Sequence, residues 1–129
     1  MLATFLLLMA MALEVGAAGP PDGALWNRDR TAAVSSVHTD NGSVVTAYVR
    51  QQDDTFLTFD LSAVEGGNFG KLGRSRKDFD RFETTPIEWL QRQDGLLQVR
   101  IQTRAWRQGQ RYTVTEPLVF SPDGRVVWR

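Results

Sequence analysis

An all-β fold, about seven antiparallel strands in a small sandwich or barrel, is predicted by two features of the sequence. One is strict alternation of apolar and polar side chains in its last third; the other is a set of reversals whose residues suit hairpin turns. Leu97, Val99, Ile101, Thr103 and Ala105 share one face, and Gln98, Arg100, Gln102, Arg104 and Trp106 the other. In the next run Tyr112, Val114, Leu118 and Phe120 share a dry face, and Arg111, Thr113 and Thr115 a wet one.

Turn chemistry sets the registers. A two-residue turn at Gln108-Gly109 brings Ala105 to Tyr112 and Thr103 to Val114, so the dry faces coincide; a slip of one residue would mix them. Ser121-Pro122-Asp123-Gly124 suits a three-residue loop with Gly124 left-handed, which pairs Phe120 with Val126 and Leu118 with Trp128. Pro117 cannot donate to a ladder and marks an edge or a bulge.

Earlier strands follow from the same signals. Asp40-Asn41-Gly42-Ser43 carries an Asn-Gly pair for a type I′ turn, predicting a hairpin over 34–50 with Val34 against Val49, Ser36 against Ala47 and His38 against Val45. Thr55 to Leu61 is apolar on both faces, as a central strand requires. Residues 62–77 are expected to form a Gly-rich surface loop. Thr85-Pro86-Ile87-Glu88 fits a capping box and so a short helix near 86–93, yet Asp94-Gly95 equally fits a hairpin turn that sets Leu90 against Val99 and Trp89 against Arg100. The strand is preferred because so short a helix is weak alone and the strand at Leu97 needs a partner.

Residues 1–19 read as a secretory leader, with an apolar run from Leu2 to Leu13 followed by small residues from Gly16 to Gly19. The run is shorter than the roughly 20 residues of a membrane span, and no Lys or Arg precedes it, which leaves a retained anchor as the alternative. Pro20 to Arg30 is expected as a flexible arm and residues 31–129 as a single domain. Its location is then periplasmic or secreted. No cysteine is present, so thiolate metal sites and redox chemistry are excluded and the fold rests on burial.

No catalytic motif is found: no G-x-S-x-G, no H-E-x-x-H and no Cys nucleophile. His38, the single histidine, has no carboxylate signature beside it. The run from Gly66 to Gly73 departs from a phosphate-binding loop, since Leu72 follows Lys71 where Ser or Thr should stand. No catalytic residue, metal ligand or cofactor is therefore expected, and net charge near zero disfavours nucleic acid.

Charge is uneven along the chain. Residues 20–69 carry three Arg against seven acidic residues, whereas residues 90–129 carry seven Arg against Asp94, Glu116 and Asp123. With 87–92 as a strand, one sheet face gathers Trp89, Arg100, Arg104, Trp106 and Arg111, where guanidinium forks can grip an anion and flat rings can cover a sugar. The expected function is thus an exported, non-enzymatic module that binds a protein partner or an anionic or carbohydrate envelope ligand on that face. An inhibitor or immunity-type protein acting through the 66–73 loop is the alternative, followed by a small pocket enzyme. The last three strands also resemble the ending of cone-shaped α+β folds related to nuclear transport factor 2, which implies a pocket; such cones begin with helices, where Val34 to Leu61 reads as strands.

Overall fold

The computed structural model describes residues 14–16, 19–40 and 42–127. The chain is mostly β. It runs β1 (Glu14–Gly16), β2 (Leu25–Trp26), β3 (Ala32–Thr39), β4 (Gly42–Arg50), β5 (Phe56–Asp60), helix α1 (Ala63–Lys71), a 3-10 turn (Arg76–Asp78), β6 (Arg81–Leu90), β7 (Leu97–Arg107), β8 (Gln110–Phe120) and β9 (Val126–Val127). One antiparallel sheet has the order β1-β5-β4-β3-β2 and the other β6-β7-β8-β9. The all-β prediction is met; among the described residues the α-helix is at 63–71 and not at 86–93, where the chain is strand as far as Leu90.

The core lies between the sheets. Val34, Val45, Ala47 and Phe59 of the first meet Val99, Ile101, Leu118 and Phe120 of the second. Each large side chain so buried contributes roughly 1.5–3 kcal/mol. At one end α1 closes the second sheet: Phe69 stacks on Phe79 and meets Phe82 edge-on, around Ala105.

The parity read from the sequence holds in β7 and β8. Val99, Ile101, Thr103 and Ala105 are buried, Ala105 pairs with Tyr112 and Thr103 with Val114. Gln108 (φ 51°) and Gly109 (φ 80°) are both left-handed, as a type I′ turn requires. Gly124 is left-handed at φ 98°, Ser121 N–H donates to Arg125 O, and Phe120 pairs with Val126. The expected Leu118–Trp128 pair lies outside the described residues, as does most of the predicted leader, although β1 within it pairs antiparallel with β5.

Several expectations are corrected. The β3–β4 hairpin is two residues out of the predicted register: Val34 pairs with Ala47, Ser36 with Val45 and His38 with Ser43, and Thr39 with Gly42 closes the ladder. A two-residue slip preserves which side chains face the core, so the apolar pattern cannot distinguish the two registers. Position 42 suits glycine, at φ 135° and with the space of a side chain taken by the Arg76 guanidinium and the Glu65 carboxylate. Residues 63–71 of the expected loop form α1. Within the expected arm, Leu25–Trp26 is instead a strand on β3, followed by a turn in which Asn27 Oδ1 accepts from Thr31 N and Ala32 N.

Candidate functional site

The β6–β7 ladder decides which side chains reach the outer face of the second sheet. Up to Pro86, even residues of β6 face inward, as Phe82 pairs with Ala105, Thr84 with Thr103 and Pro86 with Ile101. Between Pro86 and Glu88 the register shifts, and Ile87 is the extra residue of a β-bulge. Beyond it parity reverses, so Trp89 pairs with Val99 and Leu90 with Gln98. This corrects the expected pairs of the β6–β7 hairpin and removes Trp89 from the Arg/Trp face: its ring packs on Phe120 with centroids 6.0 Å apart, and its Nε1–H donates to Leu25 O at 2.8 Å.

The other four predicted residues do share the outer face, in cross-strand rows. Arg81, Trp106 and Arg111 form one row; Glu83, Arg104 and Thr113 the next; Glu88, Arg100 and Pro117 lie farther along. Arg104 is held by Glu83 and Arg100 by Glu88, so both are neutralised, and Arg104 keeps a buried Nε–H without a hydrogen-bond partner. The first row differs. Arg81 lies over the Trp106 ring, its Cζ 3.9 Å from the centroid, with Arg104 5.9 Å away. Among the described residues neither Arg81 nor Arg111 has an ion-pair partner, and both are exposed.

Arg81 was not among the residues singled out from the sequence. Its signal is the alternation Arg81, Glu83, Thr85 against Phe82, Thr84, Pro86, which marks a strand starting at 81 and supplies the two functional facts missed. These are a guanidinium over the Trp106 ring and the carboxylate that cancels Arg104.

A second polar group lies inside. Asn68 Nδ2 donates to Thr103 Oγ1 at 2.8 Å, the Thr103 and Thr84 hydroxyls are 2.8 Å apart, and Thr84 Oγ1 donates to Glu65 Oε2 at 2.5 Å. Glu65 Oε1 accepts from Ser43 N at 3.2 Å and lies 3.6 Å from Arg76 Nη2. Ser43 Oγ accepts from Thr84 N at 2.7 Å and shares a hydrogen bond with His38 Nδ1 at 2.9 Å. That distance suits a nucleophile and its base, but Ser43 is 6% exposed with its oxygen already engaged, and Glu65 meets its backbone. This is a structural network.

An open cleft of about 550 Å³ lies between the turn after β2 and the far end of β6, and neither His38 nor Ser43 lines it. No group of three His, Cys, Asp or Glu that could hold a metal occurs among the described residues, and no helix there is long and apolar enough to cross a membrane. Comparison with protein-family models, curated proteins and solved structures returned no match. The reading of function therefore rests on geometry.

Proposed function

We propose that the protein is an exported binding module, periplasmic or secreted, that recognises a carboxylate or phosphate group on a partner or envelope ligand through Arg81 and Arg111. The observation that carries this is the row Arg81–Trp106–Arg111, in which the Arg81 guanidinium lies over the indole, Arg111 is the cross-strand neighbour on its other side, and neither arginine has a carboxylate partner among the described residues. An arginine stacked on a ring is held in place, so less side-chain entropy is lost when its fork closes on an anion. Because Arg81 occupies a face of Trp106, an anion is favoured over a sugar stacked on the indole. The leader pattern in residues 1–19 supports export. The plugging-loop alternative at 66–73 meets a helix over most of that segment.

The test is titration of the full chain with inorganic pyrophosphate and with citrate, read by the Trp106 indole N–H resonance. Removing both guanidinium groups in R81S/R111S should weaken binding at least tenfold, since each charged hydrogen bond is worth about 1.5–3 kcal/mol. R100S, whose arginine already serves Glu88, should bind as the native chain does. Undiminished binding in the double variant rejects the proposal.

A further inference from the structure

The register of the β7–β8 hairpin fixes which main-chain groups of β8 lack a neighbour. With a two-residue turn the flanking pair, here Arg107 and Gln110, exchanges hydrogen bonds, and so does every second pair beyond it: Tyr112 with Ala105, Val114 with Thr103 and Glu116 with Ile101. The N–H and C=O groups of Arg111, Thr113 and Thr115 therefore point away from β7. The far end of the strand agrees, since Ser121 N donates to Arg125 O and Val119 pairs with Val127, so odd positions address β9 there. Among the described residues β9 reaches only Val119 and Phe120, and no strand lies beside 111–115. Arg111, Thr113 and Thr115 are exposed, whereas α1 and the turn after it meet β8 on its inner face, with Lys71 on Glu116 and Arg74 over the Tyr112 ring. Pro117 has no N–H to offer and ends the open stretch, which spans about 17 Å from Arg111 to Thr115 at roughly 3.4 Å per residue.

This open edge coincides with an unpaired cation. A residue directly opposite Arg111 on an added strand shares the outer face with it, its Cβ about 5 Å from that of Arg111. Arg111 has no ion pair among the described residues, and Asp80, at the same end of the sheet, is engaged by Gln108 N. On the inner face the half-buried Tyr112 and Val114 border the same edge and offer apolar contact. A second copy of this chain, paired antiparallel through the same groups about Thr113, would set Thr115 against Arg111 and leave the guanidinium unmatched. A strand that carries a carboxylate fits the edge better.

We infer that the open edge of β8 binds an extended segment of a protein partner as an added antiparallel strand, with an acidic side chain opposite Arg111 and apolar ones opposite Tyr112 and Val114. This rests on the reading of Arg111 as an anion-binding residue, and it identifies the anion as a carboxylate of that segment. Main-chain hydrogen bonds supply the affinity of such a strand, and the side chains opposite it select its sequence.

The experiment selects from a displayed library of random heptapeptides with the full chain as bait, and the enriched peptide is synthesised with both ends capped. Its binding is read by the amide resonances of Thr113 and Thr115. An acidic residue should be enriched with apolar residues one and three positions before it, the order that antiparallel pairing requires. Arg111→Glu should weaken binding about tenfold or more, and replacing the acidic residue of the peptide by lysine should restore binding to that variant. Thr113→Pro removes an outward N–H and no hydrogen bond to β7, so it should abolish peptide binding while pyrophosphate still binds. N-methylation of the alternate peptide nitrogens that face β8 should abolish binding to the native chain, and methylation of the other set should not, which tests the edge without altering the protein. Pyrophosphate binding by a chain that enriches no acidic peptide overturns this inference and leaves the proposed function standing; absence of both overturns both. Equal tolerance of the two methylated sets, full peptide binding by Arg111→Glu, or a dimer of the native chain that Thr113→Pro dissociates overturns the inference as well.

Discussion

The two faces of the second sheet hold their polar groups by opposite physics. On the inner face Thr84, Thr103, Asn68 and Glu65 are all buried, and their hydrogen bonds run in one direction, from amide to hydroxyl to hydroxyl to carboxylate. On the outer face the same two strands carry Glu83–Arg104 and Glu88–Arg100, ion pairs whose four side chains are between 26% and 48% exposed. Water competes for every group outside and for almost none inside. The difference teaches that bonds of similar appearance should count for stability within and leave the surface free for recognition without.

The largest effect should come from Glu65. Its carboxylate serves Thr84 Oγ1, Ser43 N and Arg76, and joins α1 to both sheets. Glu65→Ala leaves buried donors without an acceptor, and at a penalty of about 1–3 kcal/mol for each such group, the loss should be about 3 kcal/mol in a urea melt. Glu65→Gln should lose less, because one amide oxygen still accepts. A Glu65→Ala chain within 1 kcal/mol of native would put the weight of the fold on apolar packing alone.

How far this contrast could be read in advance depended on range. β7 and β8 were legible to the residue, because alternation and the Gln108-Gly109 turn are local and a one-residue error would bury Arg100 and Arg104. The inner network was not, since it joins Ser43, Glu65, Thr84 and Thr103 from four elements, and nothing in the sequence marks Glu65 as buried. Helix α1 was hidden by Gly66, Gly67 and Gly70, each costing about 1 kcal/mol in a helix interior; burial of Val64 and Phe69 offsets them. The bulge at Ile87 was invisible for a similar reason. It keeps Trp89 in the core, where the ring finds Phe120 and the indole N–H finds Leu25 O, and these contacts are known only once the first sheet is in place.

A smaller effect is expected outside. A double-mutant cycle on Glu83 and Arg104, with Glu83→Gln and Arg104→Gln, should give a coupling of about 0.2–1 kcal/mol at low salt, and less at high salt. Arg100→Ser should change stability by about 0.5 kcal/mol or less. Coupling well above that range would erase the distinction between the faces, and the orphaned Nε–H of Arg104 would then be part of a tighter structure than the exposure of its side chain indicates.

The smallest effect on stability should be visible only in titration. In the β6–β7 loop Arg92 Nε and Nη2 donate to the two oxygens of Asp94 at 3.0 and 2.6 Å, and Leu96 N donates to Oδ1 at 3.2 Å. The Arg92 hydrogen bonds, with help from Leu96 N, hold the Asp94 carboxyl down at about 2, from an ordinary 3.8. A carboxyl depressed on folding contributes stability that is present above its unfolded value and lost as pH falls through the folded one, here between about 4 and about 2. Because this pair is exposed, Arg92→Gln should return the Asp94 carboxyl ¹³C midpoint toward 3.8 while leaving the melt at neutral pH nearly unchanged. A native midpoint already near 3.8 would mean that the fork opens in solution, whereas a large loss of stability in Arg92→Gln would make this loop resemble the buried network instead of the outer face.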